Sequence, residues 1–178
     1  MEKFKLYSIW EGCKVQDRKS QALIYSHFSK KMYAVCLRYT QTTSEAEDIL
    51  QNSFIKIFTK THLYNGEGSL EGWIKRIIVH TAIEHYRAQK IKFTEDISLH
   101  DSVELHSEIG LDQTNYKDLL ALIHQMPIGY KTVFNMYAIE GYSHKEIAES
   151  LGLSEGSSKS QLARARAWLQ KKLIHQTV

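Results

Sequence analysis

Apolar positions recur at intervals of three and four along most of the chain, with a few polar or glycine-rich breaks. Residues 20–39 hold no Gly or Pro and carry Leu23, Ile24, His27, Phe28, Lys31, Met32, Val35 and Tyr39 on that period, which predicts an amphipathic helix. Beyond the polar break Thr40-Gln41-Thr42-Thr43, the tetrad Ser44-Glu45-Ala46-Glu47 fits a capping box. There a serine and a glutamate three residues on satisfy free amides at a helix start, so a second helix is expected from Ser44 to about Thr59. Ala46, Leu50, Ser53, Phe54 and Ile57 share its core face, whereas Ile55 points the opposite way among Asp48, Gln51, Asn52 and Thr59. A single exposed Ile is ordinary on a protein surface; the alternative is a small protein-binding patch with a polar rim.

Residues 63–69 contain Asn65, Gly66 and Gly68 and predict a loop. The following stretch, 70–90, is apolar around much of its circumference in its first half, with Trp73, Ile74, Ile77, Ile78 and Val79. It ends in His85, Tyr86, Arg87 and Lys90. A helix buried early and exposed late is expected. Lys75, Arg76, Arg87, Lys90 and Lys92 add cations among aromatics, a combination suited to single-stranded nucleic acid because cations meet phosphates while flat rings stack on unpaired bases. A core helix with ordinary surface cations is the competing reading.

The apolar period resumes at 116–125 with Leu119, Leu120, Leu122 and Ile123 and stops at Met126-Pro127. A helix over about 129–139 and the turn Glu140-Gly141-Tyr142 come next. Ser143-His144-Lys145-Glu146 is a second capping box, opening a helix with Ile147, Ala148 and Leu151 inward that stops at Gly152, a residue suited to left-handed backbone. Leu153 anchors the turn, and Ser154 caps a last helix reaching about Leu173. Two helices joined by a Gly-containing turn, the second rich in Ser, Lys and Arg, form a helix-turn-helix pattern. Ser157, Ser158, Lys159, Ser160 and Gln161 open the recognition helix within reach of base edges or phosphates. Arg164 reaches bases or backbone, while Arg166, Lys171 and Lys172 meet phosphates. The bland alternative is a solvated helical hairpin that binds no DNA.

Composition sharpens this picture. In 178 residues there are one proline and nine glycines, little punctuation for a sheet protein, and the fold class expected is all-α. The formal charge is only +3, but residues 1–93 hold 15 basic against 9 acidic side chains, 94–115 hold none against 6, and 116–178 hold 8 against 5. Balances of +6, −6 and +3 place two small helical domains, 1–93 and 116–178, on either side of an acidic linker, 94–115. The linker is either a solvated tether or a negative strand that lies in a basic channel.

Other functions lose ground on the same inventory. Cys13 and Cys36 cannot make a disulfide framework or a thiolate metal site, and no run approaches the ~18 apolar residues of a membrane span. The first ten residues lack a signal-like apolar core, so the expected location is cytoplasmic, without membrane insertion. His80, Glu84 and His85 do not form a His-Glu-x-x-His site, and neither a glycine-rich phosphate loop nor a nucleophile elbow occurs. We therefore expect no enzyme, no metal, no cofactor and no small-molecule substrate.

Three blocks together resemble the bacterial sigma-70 superfamily, specifically the small two-domain extracytoplasmic-function (ECF) sigma factors. They are Ala46-Glu47-Asp48-Ile49-Leu50-Gln51-Asn52-Ser53-Phe54-Ile55-Lys56-Ile57-Phe58; the stretch from Leu70-Glu71-Gly72-Trp73-Ile74 to Thr81-Ala82-Ile83-Glu84; and the final helix-turn-helix ending Lys159-Ser160-Gln161-Leu162-Ala163-Arg164-Ala165-Arg166. The resemblance covers about residues 20–175. It implies that Asp48, Gln51, Asn52 and Ile55 dock on the clamp helices of core RNA polymerase. It also implies that the 63–69 loop and the helix after it, with Asn65, Lys75, Arg76, His80, Glu84, Tyr86 and Arg87, capture and melt the −10 element of promoter DNA. Ser157, Ser158, Lys159, Ser160, Arg164 and Arg166 are implied to read the −35 element as duplex. The linker would thread into polymerase channels, and an anti-sigma factor is implied as a further partner.

Departures from the common pattern are Asn52 where an acidic residue is usual, Val79-His80 in place of Arg-Asn, and Ser157-Ser158 in place of Thr-Val. The last two lie where promoter preference is set. The competing assignment is a conventional helix-turn-helix regulator with an N-terminal sensor or dimerisation domain, which would bind an inverted repeat without polymerase.

Overall fold

The computed structural model describes residues 3–95 and 121–176, and every regular element among them is helical. In chain order these are α1 (Lys3–Lys14), α2 (Arg18–Leu37), α3 (Thr43–Thr59), a 3-10 turn (Thr61–Leu63), α4 (Leu70–Glu95), helical residues 121–125 (α5), α6 (Ile128–Phe134), a π turn (Asn135–Ile139), α7 (His144–Leu151) and α8 (Glu155–Gln176). By contact they group into two compact units, Met1–Cys36 with Ser44–Glu84, and Leu37–Thr43 with His85–Val178. The acidic segment falls, from residue 96 on, outside the described residues. No helix among the described residues is long and apolar enough to cross a membrane.

The first unit is built from the stripes that periodicity predicts, with corrections at their ends. Helix α2 buries Ile24, Phe28, Met32, Val35 and Cys36, leaving Leu23, His27 and Lys31 of the expected stripe exposed. It starts two residues early because the Asp17 carboxylate accepts from the Ser20 amide at 2.8 Å and the Ser20 hydroxyl at 2.7 Å, a side-chain cap for free amides. Those hydrogen bonds hold the Asp17 carboxyl below its ordinary range. Helix α3 begins at Thr43, so Ser44 lies inside the helix and is not its cap. Thr42 with Glu45 offers the same serine/threonine-x-x-glutamate spacing two residues earlier.

Helix α1 is absent from the sequence expectation because it buries only Trp10 and Cys13 among its described side chains, too few positions to reveal a period. Its turn into α2 passes through Gln16 at φ 60°. The Gln16 side-chain amide donates to the Phe58 carbonyl at 3.0 Å, which ties this turn to the end of α3.

In the second unit Leu122, Ile123, Met126, Ala165 and Leu169 form a core, with Tyr130, Phe134 and Trp168 packed against it. The single helix expected over 129–139 instead starts at Ile128 and widens at Asn135, where the Glu140 amide donates to the Asn135 carbonyl five residues back. Buried polar groups surround this change of pitch. Lys131, fully buried, donates to the carbonyls of Thr40 and His124, while the Asn135 amide donates to the Arg38 carbonyl. Arg38 and Glu140 pair at 2.8 Å with side chains only 12% and 6% exposed. A charge so deeply buried is tolerated because it is paired and hydrogen-bonded.

The capping box that opens α7 is complete: the Ser143 hydroxyl accepts from the Glu146 amide at 3.2 Å, and the Glu146 carboxylate accepts from the Ser143 amide at 2.8 Å. At its other end Gly152 adopts φ 62°, and the Ala148 carbonyl accepts from the amides of Gly152 and Leu153. Glycine is needed there because a Cβ at positive φ is strained.

Two measurements check these details. Ser143→Ala removes one side of the box and should lower the stability of the second unit by about 1 kcal/mol, read as a lower midpoint in thermal melting; an unchanged midpoint would contradict the assignment. Burial, and then the nearby Asp17 charge, push the Cys13 thiol up to about 11, and Cys36 is buried too. The native protein should therefore resist thiol alkylation at pH 8, with both cysteines labelled after denaturation, as counted by mass spectrometry.

Candidate polymerase and nucleic-acid interfaces

Helix α3 presents the first candidate surface. Ala46, Ile49, Leu50, Ser53, Phe54 and Ile57 are buried, so the helical period turns the opposite stripe to solvent. Asp48, Gln51, Asn52, Ile55 and Thr59 all lie on that stripe and all are exposed, Ile55 at 62%. The four residues expected to meet polymerase are thus neighbours on one face. An apolar centre with carboxylate and amide groups around it can lose water at its middle while its rim keeps hydrogen-bond partners.

The second surface is the loop after α3 together with the start of α4. Tyr64 is buried, its ring 5.9 Å from Trp10 and 5.6 Å from Trp73, while Trp10 and Trp73 lie 5.5 Å apart. These edge-on and tilted contacts are favoured by the aromatic quadrupole. The Tyr64 hydroxyl donates to the Gly68 carbonyl at 3.0 Å, closing the loop on itself. Gly66 and Gly68 take φ values of 89° and 73°, and a Cβ on Gly66 would come within 2.9 Å of the Tyr7 hydroxyl. Asn65 is exposed at the tip, where its side-chain oxygen accepts from the Glu67 amide at 3.0 Å. Ser69 caps α4 by accepting from the Gly72 amide.

Along α4, Arg76, His80 and Glu84 follow one another at four-residue spacing on the exposed side, and Arg87 is exposed three residues later. Lys75 and Tyr86 are half-buried and project from the other side of the helix. Burial raises the Tyr86 phenol above its ordinary pKa. The exposed row is less basic than residue counting suggests. Lys56 pairs with Glu84 at 2.5 Å and also reaches the Thr81 hydroxyl, while partial desolvation, then the Arg76 charge, hold His80 below the usual imidazole range. Both effects favour the neutral imidazole.

The third surface is α8. Ser154 caps it by accepting from the Ser157 amide at 3.0 Å, and its dry stripe is Ser158, Leu162, Ala165 and Leu169. Lys159, Ser160, Arg164 and Arg166 are exposed, whereas Ser157 is half-buried. Ser158 requires a correction: it is fully buried, and its hydroxyl lies 2.9 Å from Nδ1 of His144 on α7. It joins the two helices of the motif and cannot touch a base edge from there.

Residues missed in the sequence are those that brace these surfaces. Trp10 and Tyr64 belong to no visible stripe, and their partnership depends on a contact between segments more than 50 residues apart. Ser69, directly before the apolar run, was a readable cap signal. Among the described residues no group of His, Cys, Asp and Glu is arranged to hold a metal ion.

Comparison with known proteins follows the same division. The family described as Sigma-70 region 2 matches residues 24–91, and that described as Sigma-70, region 4 matches residues 116–169. The ECF RNA polymerase sigma-E factor of Haemophilus influenzae is 27% identical over 169 residues, covering 88% of this chain and 89% of the relative. The ECF RNA polymerase sigma factor SigX of Bacillus subtilis is 27% identical over 157 residues, covering 84% and 81%. Among solved structures, the sigma factor RpoE of Bartonella quintana, determined with the anti-sigma factor NepR, shares the fold at a TM-score of 0.57 and 16% identity, over 85% of this chain and 95% of that one. Region 2 followed by region 4, with relatives matched over more than four-fifths of both lengths, places the chain in the sigma-70 family as a sigma factor of the ECF type.

Proposed function

We infer that the protein binds core RNA polymerase, directs it to promoters through −10 and −35 elements, and supports promoter melting at the start of transcription. The observation that carries this reading is the succession of a region 2 and a region 4 match along one chain. On it, residues 1–93 form the clamp-binding and melting domain, 116–178 the duplex-reading domain, and 94–115 an acidic connection whose charge suits a basic channel. The protein works as a specificity subunit in the cytoplasm, without catalysis of its own and without a cofactor.

Each exposed surface takes one role. The Ile55 patch with Asp48, Gln51 and Asn52 docks on polymerase. Asn65 at the braced loop tip and the row Arg76, His80, Glu84 and Arg87 face the melted −10 element, while Lys75 and Tyr86, half-buried, contribute support. Lys159, Ser160, Arg164 and Arg166 meet the −35 duplex, with Ser157 at its edge and Ser158 holding the motif together. Unstacking a base costs a few kcal/mol, and one aromatic stack or pocket returns ~1–3 kcal/mol. Melting thus requires several contacts and the polymerase scaffold, so the free protein binds promoter DNA weakly. An anti-sigma factor that covers these surfaces completes the reading; the Bartonella sigma factor was solved with such a partner.

Run-off transcription with purified core polymerase on a promoter library tests the function, and specific transcripts should appear only when the protein is added. Strong operator binding with no effect on initiation would favour a conventional regulator instead. Ile55→Asp should abolish capture of core polymerase in a pull-down while leaving the melting midpoint close to wild type, because the side chain is exposed. Retained capture would reject the patch. Arg164→Ala should cost about 1–3 kcal/mol of discrimination at the −35 element, read as a changed promoter profile.

A further inference from the structure

The widened turn Asn135–Ile139 buries Asn135 and Met136 fully but leaves Tyr137 exposed at its surface. π turns are uncommon and recur at functional positions. The Tyr137 ring has two close neighbours. The His144 imidazole is stacked with it, centroids 4.6 Å apart and planes inclined by 23°, and Arg166 lies over the ring with its guanidinium carbon 5.8 Å from the centroid. His144 in turn reaches the buried Ser158. Helix α8 is thereby gripped at two places two turns apart, once through Ser158 and once through Arg166.

We propose that Tyr137 is a positioning residue for duplex binding: its ring, stacked with His144, holds the Arg166 guanidinium in place for a phosphate. This rests on the reading of α8 as the −35 surface. An arginine loses much rotamer freedom when it grips a phosphate, and a ring already beneath it reduces that loss while leaving its N–H edge open to an anion. Arg164, about 160° around the helix from Arg166 at 100° per residue, does not share the pad and serves as an internal control.

The test is a double-mutant cycle in holoenzyme, assembled from core polymerase and the full chain, on a promoter selected by run-off transcription. Tyr137→Leu should weaken promoter binding about two- to fivefold, and Tyr137→Phe should restore it because the ring remains. In an Arg166→Ala background Tyr137→Leu should have no further effect, whereas in an Arg164→Ala background it should keep its full effect. A merely structural role would weaken binding equally in both backgrounds and would overturn the proposal, as would a Phe variant as weak as the Leu variant.

Wild-type protein offers a measurement independent of any variant's folding. The Arg166 side-chain proton resonances should be displaced upfield by the ring current, and ordinary positions would refute the pad. Should Arg166→Ala bind as wild type, Arg166 makes no phosphate contact and the proposal fails, whereas the −35 reading is judged separately by Arg164→Ala. A weakened Arg166→Ala whose effect simply multiplies with Tyr137→Leu overturns only the positioning role.

Discussion

A helix has one circumference, and residues placed on its buried stripe fix which residues face water. That constraint organises both units of this protein. The stripe Ala46, Leu50, Phe54 and Ile57 commits α3 to a core, which leaves Asp48, Gln51, Asn52 and Ile55 as a continuous outer face. The stripe Ser158, Leu162, Ala165 and Leu169 does the same for α8 and turns Lys159, Ser160 and Arg164 outward. The surfaces proposed to carry function are those each core cannot use.

Loops and helix ends do not inherit that order from periodicity and have to be held by particular contacts. In the first unit the Tyr64 ring, set against Trp10 and Trp73, anchors a loop whose two glycines take positive φ. This anchoring leaves Asn65 at the tip with its own side chain already engaged by the Glu67 amide. The base capture proposed for this loop would benefit from such bracing, because a site that is already ordered spends less of its binding energy on ordering itself. In the second unit the corresponding work is done by polar groups: the Ser143–Glu146 box, the Ala148 carbonyl at the Gly152 turn, and the His144–Ser158 contact between the two helices.

Charge illustrates how local composition and local structure diverge. Residue counting makes the region before the linker strongly basic. In the folded unit Lys56 is spent on Glu84, and desolvation and the Arg76 charge favour the neutral form of His80. The exposed row of α4 is thus a mixed surface in which Arg76 and Arg87 supply the positive charge, suited to contacts with both phosphates and bases. Lys131, a cation on any count, is wholly internal and serves backbone carbonyls.

The helical class, the stripe of α3, the exposed Ile55 patch, the second capping box and the Gly152 turn were all legible in the sequence, because each depends on spacing within a few residues. Tertiary structure alone decided the rest. Helix α1 with Trp10, the π turn at Asn135 and the burial of Ser158 and Lys131 depend on partners brought together by folding. Periodicity reports which face of a helix is dry. It carries no information about which distant carbonyl, ring or imidazole will meet a given side chain, and those meetings separate Ser158, an internal tie, from Lys159 beside it on the open face.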